Sequence, residues 1–197
     1  MTQLAFLIDL DRCCDTRGCV GACKQENNAA LGCSWITTFT STVGDFPDNE
    51  TYFIPIMCQH CQNPPCIPAC PLGAIYKRSD GIVLIDTEKC PACAEKPCLK
   101  SCPYDAISYN AKKNVAEKCT LCVHLIDQGK LPACAASCCS NAYTFGDLDD
   151  PESDIARRIK ATPDKVHYLK SGTGAQPAVC YFLTNKTWQD MKGLRWR

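Results

Sequence analysis

Apolar residues in this chain come in short runs, and the runs stop at cysteines. Residues 4–8 (Leu-Ala-Phe-Leu-Ile), 53–57 and 82–85 each read as a short strand, with a weaker one at 114–116. Each leads directly into a group of cysteines. Further strand or turn signals at 74–76 and 106–109 come just after two of those groups. Helices are expected to be short and to lie between the groups; the clearest is at 154–160, opened by Pro151. This mixture predicts an α+β fold of small elements. No apolar run approaches the roughly 18 residues that a transmembrane helix needs. The opening residues 1–10 carry no basic stretch, and Asp9 and Asp11 close the apolar run, so a signal peptide is not expected.

Composition adds the chemistry. Of 197 residues, 19 are cysteine, whereas Lys plus Arg and Asp plus Glu balance at 21 each. A neutral chain is a poor general binder of nucleic acid or anionic membrane. Sixteen cysteines fall in four groups: Cys13, Cys14, Cys19, Cys23; Cys58, Cys61, Cys66, Cys70; Cys90, Cys93, Cys98, Cys102; and Cys119, Cys122, Cys134, Cys138. Cys33, Cys139 and Cys180 lie outside them. The second and third groups share the spacing C-x2-C-x4-C-x3-C-P at an offset of 32 positions.

The likeness extends past the cysteines. Cys70-Pro71-Leu72-Gly73-Ala74-Ile75 matches Cys102-Pro103-Tyr104-Asp105-Ala106-Ile107, and Cys138-x3-Ala142-Tyr143 is a weaker copy. Upstream, Ile8-Asp9-Leu10-Asp11-Arg12-Cys13 mirrors Ile85-Asp86-Thr87-Glu88-Lys89-Cys90. The repeat unit is a cysteine box.

Three thiolates in one tight loop can take three corners of a cubane iron–sulfur cluster, while the fourth, followed by Pro, serves the neighbouring cluster. A zinc site instead uses two C-x2-C pairs for its four ligands. Disulfides suit short exported chains, and these crowded boxes read as metal sites. Crossing the fourth ligands assigns one cluster to Cys58, Cys61, Cys66 and Cys102, and its partner to Cys90, Cys93, Cys98 and Cys70. By the same rule Cys119, Cys122 and Cys134 are joined by Cys23, and Cys138 closes the cluster of the first box. With 13 Pro and four boxes, little conventional apolar interior is expected, and folding should depend on metal.

These boxes resemble the four-cluster iron–sulfur subunits of the dimethyl sulfoxide reductase family of molybdenum and tungsten oxidoreductases. The likeness lies in Ile8 to Cys13, in Gly18-Cys19-x-x-Ala22-Cys23-Lys24-Gln25-Glu26-Asn27, in Cys58-Gln59-His60-Cys61-Gln62-Asn63-Pro64-Pro65-Cys66, and in Gly81-Ile82-Val83-Leu84-Ile85-Asp86. Most specific is Lys118-Cys119-Thr120-Leu121-Cys122-Val123-His124-Leu125 with Asp127, Gly129 and Pro132-Ala133-Cys134-x3-Cys138; Phe145-Gly146-Asp147 and Gly172-Thr173-Gly174 are similar too. The resemblance implies two ferredoxin-like units, one inserted in the other, around four 4Fe-4S clusters. The outer unit would be 1–52 plus 111–150, the inner unit 53–110, and 151–197 a C-terminal docking tail.

It further implies a non-catalytic subunit that relays electrons to or from a large molybdenum or tungsten bis-pterin catalytic subunit. A membrane anchor or a soluble redox partner would stand at the other end, with no nucleic acid and no membrane span of the chain's own. The location would be the cytoplasm, or the periplasm by co-export with a partner bearing a twin-arginine signal. A free-standing polyferredoxin carrier is the alternative. The 47 residues after Asp150, with apolar stretches at 166–169 and 179–183 suited to docking, favour the subunit.

Three departures touch the ligands. Thr16 stands where the first box should have its second cysteine, Cys14 sits two places early, and Cys139 replaces the proline after Cys138; the third box has x4 where many relatives have x2. Three outcomes follow for the first box: a cubane using Cys14, a 3Fe-4S cluster with an empty corner, or a fourth ligand from Cys139. Thr16 is the poorest candidate, because its hydroxyl is a hard donor. Cys14 is favoured, since a cysteine so close is rarely idle.

Other features carry less. His60 and His124 sit within boxes and suit hydrogen bonding rather than ligation; His167 stands alone. Ser171-Gly172-Thr173-Gly174 lacks a phosphate-loop pattern. Trp35, Trp188 and Trp196 are interface or packing residues, and Cys33 and Cys180 read as inert buried thiols.

Overall fold

The computed structural model describes residues 2–191 and the backbone of a last strand at 194–195; Trp196 lies outside the described residues. In chain order the elements are β1 (Leu4–Asp9), α1 (Gly18–Glu26), β2 (Ile36–Val43), β3 (Glu50–Met57), β4 (Ile75–Lys77), β5 (Val83–Ile85), α2 (Cys98–Ser101), β6 (Ser108–Asn110) and β7 (Val115–Glu117). There follow α3 (Val123–Ile126), α4 (Ala133–Ala136), β8 (Tyr143–Asp147), α5 (Asp154–Ala161), β9 (Val166–His167), β10 (Cys180–Phe182) and β11 (Leu194–Arg195). This is the α+β mixture the short runs predict.

The strands form a cycle around the boxes. β3 enters the second box, β4 leaves it, and β5 pairs antiparallel with β4 and enters the third. β6 and β7 repeat that hairpin between the third and fourth boxes. β8 leaves the fourth box and pairs antiparallel with β1, which enters the first. Three equivalent strand pairs therefore connect successive boxes although the last spans the two ends of the cysteine-bearing region. The fourth connection is the long hairpin β2–β3, in register from Ile36↔Met57 to Val43↔Glu50.

β1 is buried on both faces, flanked by β8 and β10 in a sheet of order β8-β1-β10-β9. Its side chains alternate between two cores, as a strand's period of two requires. Ala5 and Leu7 meet Ile155 of α5 with Ala178 and Cys180, whereas Phe6, Ile8 and Leu10 join Ile36, Ile54, Met57 and Tyr181 on the box side. Ser153 caps α5, its Oγ accepting from the Ala156 amide at 3.2 Å, so the helix is opened by Ser153 rather than by Pro151.

Two expectations need correction. The apolar interior is substantial: Phe6, Ile8, Ile36, Tyr52, Ile54, Met57, Ile82 and Tyr181 are essentially inaccessible and pack against the cysteines. The stretches at 166–169 and 179–183, expected as docking surface, belong to the chain's own sheet. β10 runs parallel to β1, β9 pairs with β10, and Leu169, Val179, Tyr181 and Leu183 are buried. The segment before β10 lies across the second box, where the amides of Gln62 and Asn63 donate to the carbonyls of Gln176 and Ala175 at 2.8 and 3.0 Å. Tyr181 donates from its hydroxyl to the Pro55 carbonyl at 3.2 Å.

Gly81 turns the β4–β5 hairpin at φ +85°, and a Cβ there would lie 2.4 Å from the side chain of Gln3, which is itself buried. Gly81→Ala is expected to destabilise the protein by about 1–2 kcal/mol from the left-handed backbone alone. That corresponds to a fall in Tm of about 2–8 °C for a chain of this size. Gly21→Ala, which meets nothing within 4 Å on α1, is the control and should leave Tm unchanged or raised in the same thermal melt.

Candidate metal centre

The first and third boxes are entered through the same local device. Asp9 Oδ1 accepts the amides of Asp11 and Arg12 at 3.1 and 3.3 Å, and Asp86 Oδ1 accepts those of Glu88 and Lys89 at 2.9 and 3.2 Å. This turn, built by a short carboxylate on its own backbone, redirects the chain from strand to box. It accounts for the repeated Ile-Asp-x-x-x-Cys. The exit has its own device. The amide of Ala74 donates to Cys70 Sγ at 3.3 Å and that of Ala142 to Cys138 Sγ at 3.3 Å, and the Ala106 amide serves Cys102. Cys-x3-Ala recurs because the amide four residues on steadies the fourth sulfur in its charged form.

Within the boxes the backbone wraps inward. Asp15, Arg17, His60, Lys96, Leu121 and Cys122 all hold positive φ between 43° and 55°. Non-glycine residues take that conformation at a cost, and clusters of them mark functional loops.

The wrapped loops bring the thiols into four neighbourhoods. Cys58, Cys61, Cys66 and Cys102 line one cavity with Val83 and Lys118. Burial, and then Cys58, Cys102 and Cys66, push the Cys61 thiol up to about 12. Burial and Cys58 push Cys66 equally far, with Lys118 opposing. Cys98 is raised by burial and then by Cys90, Cys70 and Cys93. Cys134 is held well above its ordinary value by burial and then by Cys119, Cys122, Cys23 and Cys19. Burial and Cys122 carry Cys23 to about 12.

In the first box, burial, with Cys19 and Cys138 adding to it against an opposing Asp15 amide, pushes the Cys13 thiol to about 11. For Cys138 burial is outweighed by the Ser140 hydroxyl and the amides of Ala142, Ser140 and Asn141, so its thiol is lowered. Cys14 and Cys139 are exposed, and Cys139 Sγ stands 3.5 Å from Thr16 Oγ1.

Such neighbourhoods have a chemical consequence. Four thiolates cannot share an apolar cavity unless a positive centre sits among them, because each desolvated charge raises the others. Metal binding supplies that centre and releases the protons. Among the described residues no three His, Cys, Asp or Glu side chains converge on one ion-sized point, and the thiols ring a cavity instead. An all-thiolate donor set around a cavity with amides aimed at sulfur fits a 4Fe-4S group.

The remaining candidates settle into structural roles. His60 is fully buried, and its Nδ1 accepts the Val83 amide at 3.0 Å, which assigns the ring proton to Nε2. Burial, with Lys118 and Lys77 adding, holds its pKa well below the usual value, so it is neutral. His124 pairs with Glu26 at 2.8 Å, and His167 stacks on Trp188 with ring centres 4.8 Å apart. Cys33 and Cys180 are buried and donate to the carbonyls of Tyr109 and Ala178.

Sequence reasoning passed over the lysines. Lys77 donates to the Cys61 carbonyl at 3.0 Å and Lys96 to the Cys90 carbonyl at 3.3 Å and to that of Cys93. Lys118 donates to the carbonyls of Val83 and Cys119, and Lys170 to that of Pro103. Only Lys118, adjacent to Cys119 in a specific motif, offered a hint.

Thiol groups set in wrapped loops and joined by short strand pairs define a ferredoxin-like 4Fe-4S protein. The 4Fe-4S dicluster domain profile matches residues 49–148. The chain is 39% identical, over 91% of its length and 72% of the relative's, to a subunit of the tetrathionate reductase of Salmonella typhimurium. It is 38% identical to a subunit of the sulfite dehydrogenase of Allochromatium vinosum, over 95% of this chain and 85% of that one. With the iron–sulfur subunit of the arsenate respiratory reductase of Shewanella sp. it shares 34% identity over 91% of this chain and 95% of the relative. The chain belongs to the iron–sulfur subunits of dimethyl sulfoxide reductase-family enzymes, as a non-catalytic electron-transfer subunit. Among the described residues no helix is long and apolar enough to cross a membrane.

Proposed function

We propose that the chain carries electrons through four 4Fe-4S clusters to or from a large molybdenum or tungsten bis-pterin catalytic subunit. Cys58, Cys61, Cys66 and Cys102 hold one cluster; Cys90, Cys93, Cys98 and Cys70 hold a second. Cys119, Cys122, Cys134 and Cys23 hold a third. Cys13, Cys19 and Cys138 hold three corners of the fourth, whose last corner falls to Cys14 or Cys139. The observation that carries this reading is the place of Cys102, which lines the cavity of the second box, with Cys70 an electrostatic neighbour of Cys98; both support an exchange of fourth thiols. Exchange ties neighbouring clusters together in pairs, as two-cluster ferredoxins do.

The neighbourhoods also suggest an order. Cys119 has Cys58 as an electrostatic neighbour, and Cys134 has Cys19. The relay then runs from the Cys90 cluster through the Cys58 and Cys119 clusters to the Cys13 cluster. The first two form the inner unit, 53–110; the last two form the outer unit, 1–52 plus 111–150. The tail, 151–197, braces the second box and docks through its exposed positions. One end of the relay meets the catalytic subunit, and the other a membrane anchor or a soluble redox partner.

Anaerobic purification tests this directly. Iron should approach about sixteen per chain, and a large subunit bearing pterin should co-purify. Iron near eight would remove the outer unit from the scheme, and a lone brown chain at full iron would make it a free-standing polyferredoxin.

A further inference from the structure

Lys118 is 2% exposed. Its ammonium donates to the carbonyl of Val83 and, at 3.0 Å, to that of Cys119, and no ion pair to it is present among the described residues. The same Val83 gives its amide to His60 of the second box at 3.0 Å, so one residue of β5 anchors both His60 and Lys118. Lys118 lines the cavity of Cys58, Cys61, Cys66 and Cys102, follows Glu117 in the chain and precedes Cys119. It therefore stands where the second and fourth boxes meet. The neighbouring Glu117 forms no ion pair with it among the described residues; its Oε1 accepts from Asn110 Nδ2 at 2.7 Å.

A buried cation bonded only to carbonyls is expensive unless negative charge lies close by. Clusters held by thiolates supply that charge, and each one-electron reduction adds one negative charge more. Resting on the relay reading above, we propose that Lys118 is the electrostatic joint of the relay: its fixed charge favours the reduced state of the two clusters on either side of it, those of Cys58 and of Cys119, where electrons cross between the inner and outer units. Lys96 has the matching place at the Cys90 cluster, 3% exposed and bonded to the Cys90 and Cys93 carbonyls and to Asn114 Oδ1 at 3.3 Å. It stands away from the unit boundary and serves as the comparison.

Potentiometric titration followed by electron paramagnetic resonance, on the full chain with its clusters, tests the inference. Lys118→Met should lower the midpoint potentials of two clusters and leave the other two in place at unchanged iron content. Lys118→Arg should keep all four near their wild-type values, and Lys96→Met should lower only one, different from those two. Unmoved potentials in Lys118→Met, or equal movement of all four, would overturn the inference. So would the same shift in Lys118→Arg, because charge would then not be its cause. Should Lys118→Met take up less iron, Lys118→Arg decides: wild-type potentials at full iron support the charge, and matching iron loss makes Lys118 a packing residue and overturns it. Wild-type protein with far less than sixteen iron would instead reject the four-cluster reading.

Discussion

Replacing Cys102 with serine will remove or strip the cluster of the second box and spare the cluster of its own. Cys102 belongs by sequence to the third box, yet it lines the cavity of Cys58, Cys61 and Cys66, and Cys58 is among the groups that raise its thiol, after burial. The amides of Ala106 and Tyr104 oppose that rise and hold its sulfur in place. A serine oxygen is a hard donor that ionises poorly, where iron–sulfur sites select thiolate. Iron should fall from about sixteen to about twelve per chain on full loss, or to about fifteen if a three-iron cluster survives. The effect on function should exceed the loss of iron. The damaged cluster stands second in the proposed relay, so electron transfer between a redox partner and the catalytic subunit should drop by orders of magnitude. Cys70→Ser should do the reverse, damaging the cluster of Cys90, Cys93 and Cys98. Spectra in which Cys102→Ser alters only the Cys90 cluster would reject the crossed assignment.

The boxes and the strands that serve them could be read from residue order because their causes are local. The carboxylate turn at Asp9 and Asp86 acts on residues two and three places on, and the amide of Ala74 acts on a sulfur four places back. Devices that close within one turn leave a fixed spacing, and a repeated spacing is visible. β2 left none: its sequence Ile-Thr-Thr-Phe-Thr-Ser-Thr-Val buries Ile36, Phe39 and Ser41, and threonine hides the apolar alternation while still suiting a strand. The tail is the sharper case. Its apolar residues looked free for a partner because their place, beside β1, depends on a parallel pairing of Leu7 with Cys180 across the whole chain. Nothing near Cys180 announces it. The lysines belong to the same class, since Lys77 and Lys118 act on carbonyls 16 and 35 positions away.

In the first box, Cys139→Ser will disturb the fourth cluster and Cys14→Ser will leave it intact. From Cys13 to Cys19 the chain spans the same six positions as an ordinary C-x2-C-x2-C loop, with Thr16 in the middle slot. The side chain in that slot should aim at the second corner of the cluster. Cys139 Sγ stands 3.5 Å from Thr16 Oγ1, so the thiol that directly follows the fourth box reaches the place that threonine leaves without a soft donor. Cys14 and Cys139 are both exposed, so burial does not choose between them; adjacent side chains in an extended chain diverge, and a sulfur next to Cys13 is poorly placed to share its cluster. This reverses the preference drawn from proximity in sequence alone. Cys139 follows Cys138 directly, and here adjacency is workable because the chain turns at once: the Asn141 amide donates to the Cys138 carbonyl at 3.1 Å, and Asn141 holds φ +49°. Electron paramagnetic resonance of the as-isolated proteins should show a new three-iron signal, or loss of one cubane, in Cys139→Ser only. Thr16→Cys supplies the missing thiolate and should rescue the cluster when combined with Cys139→Ser. A three-iron signal already present in the wild type and converted by Thr16→Cys would mean that neither cysteine closes the corner. Loss of the cluster in Cys14→Ser alone would return the ligand to the cysteine beside Cys13.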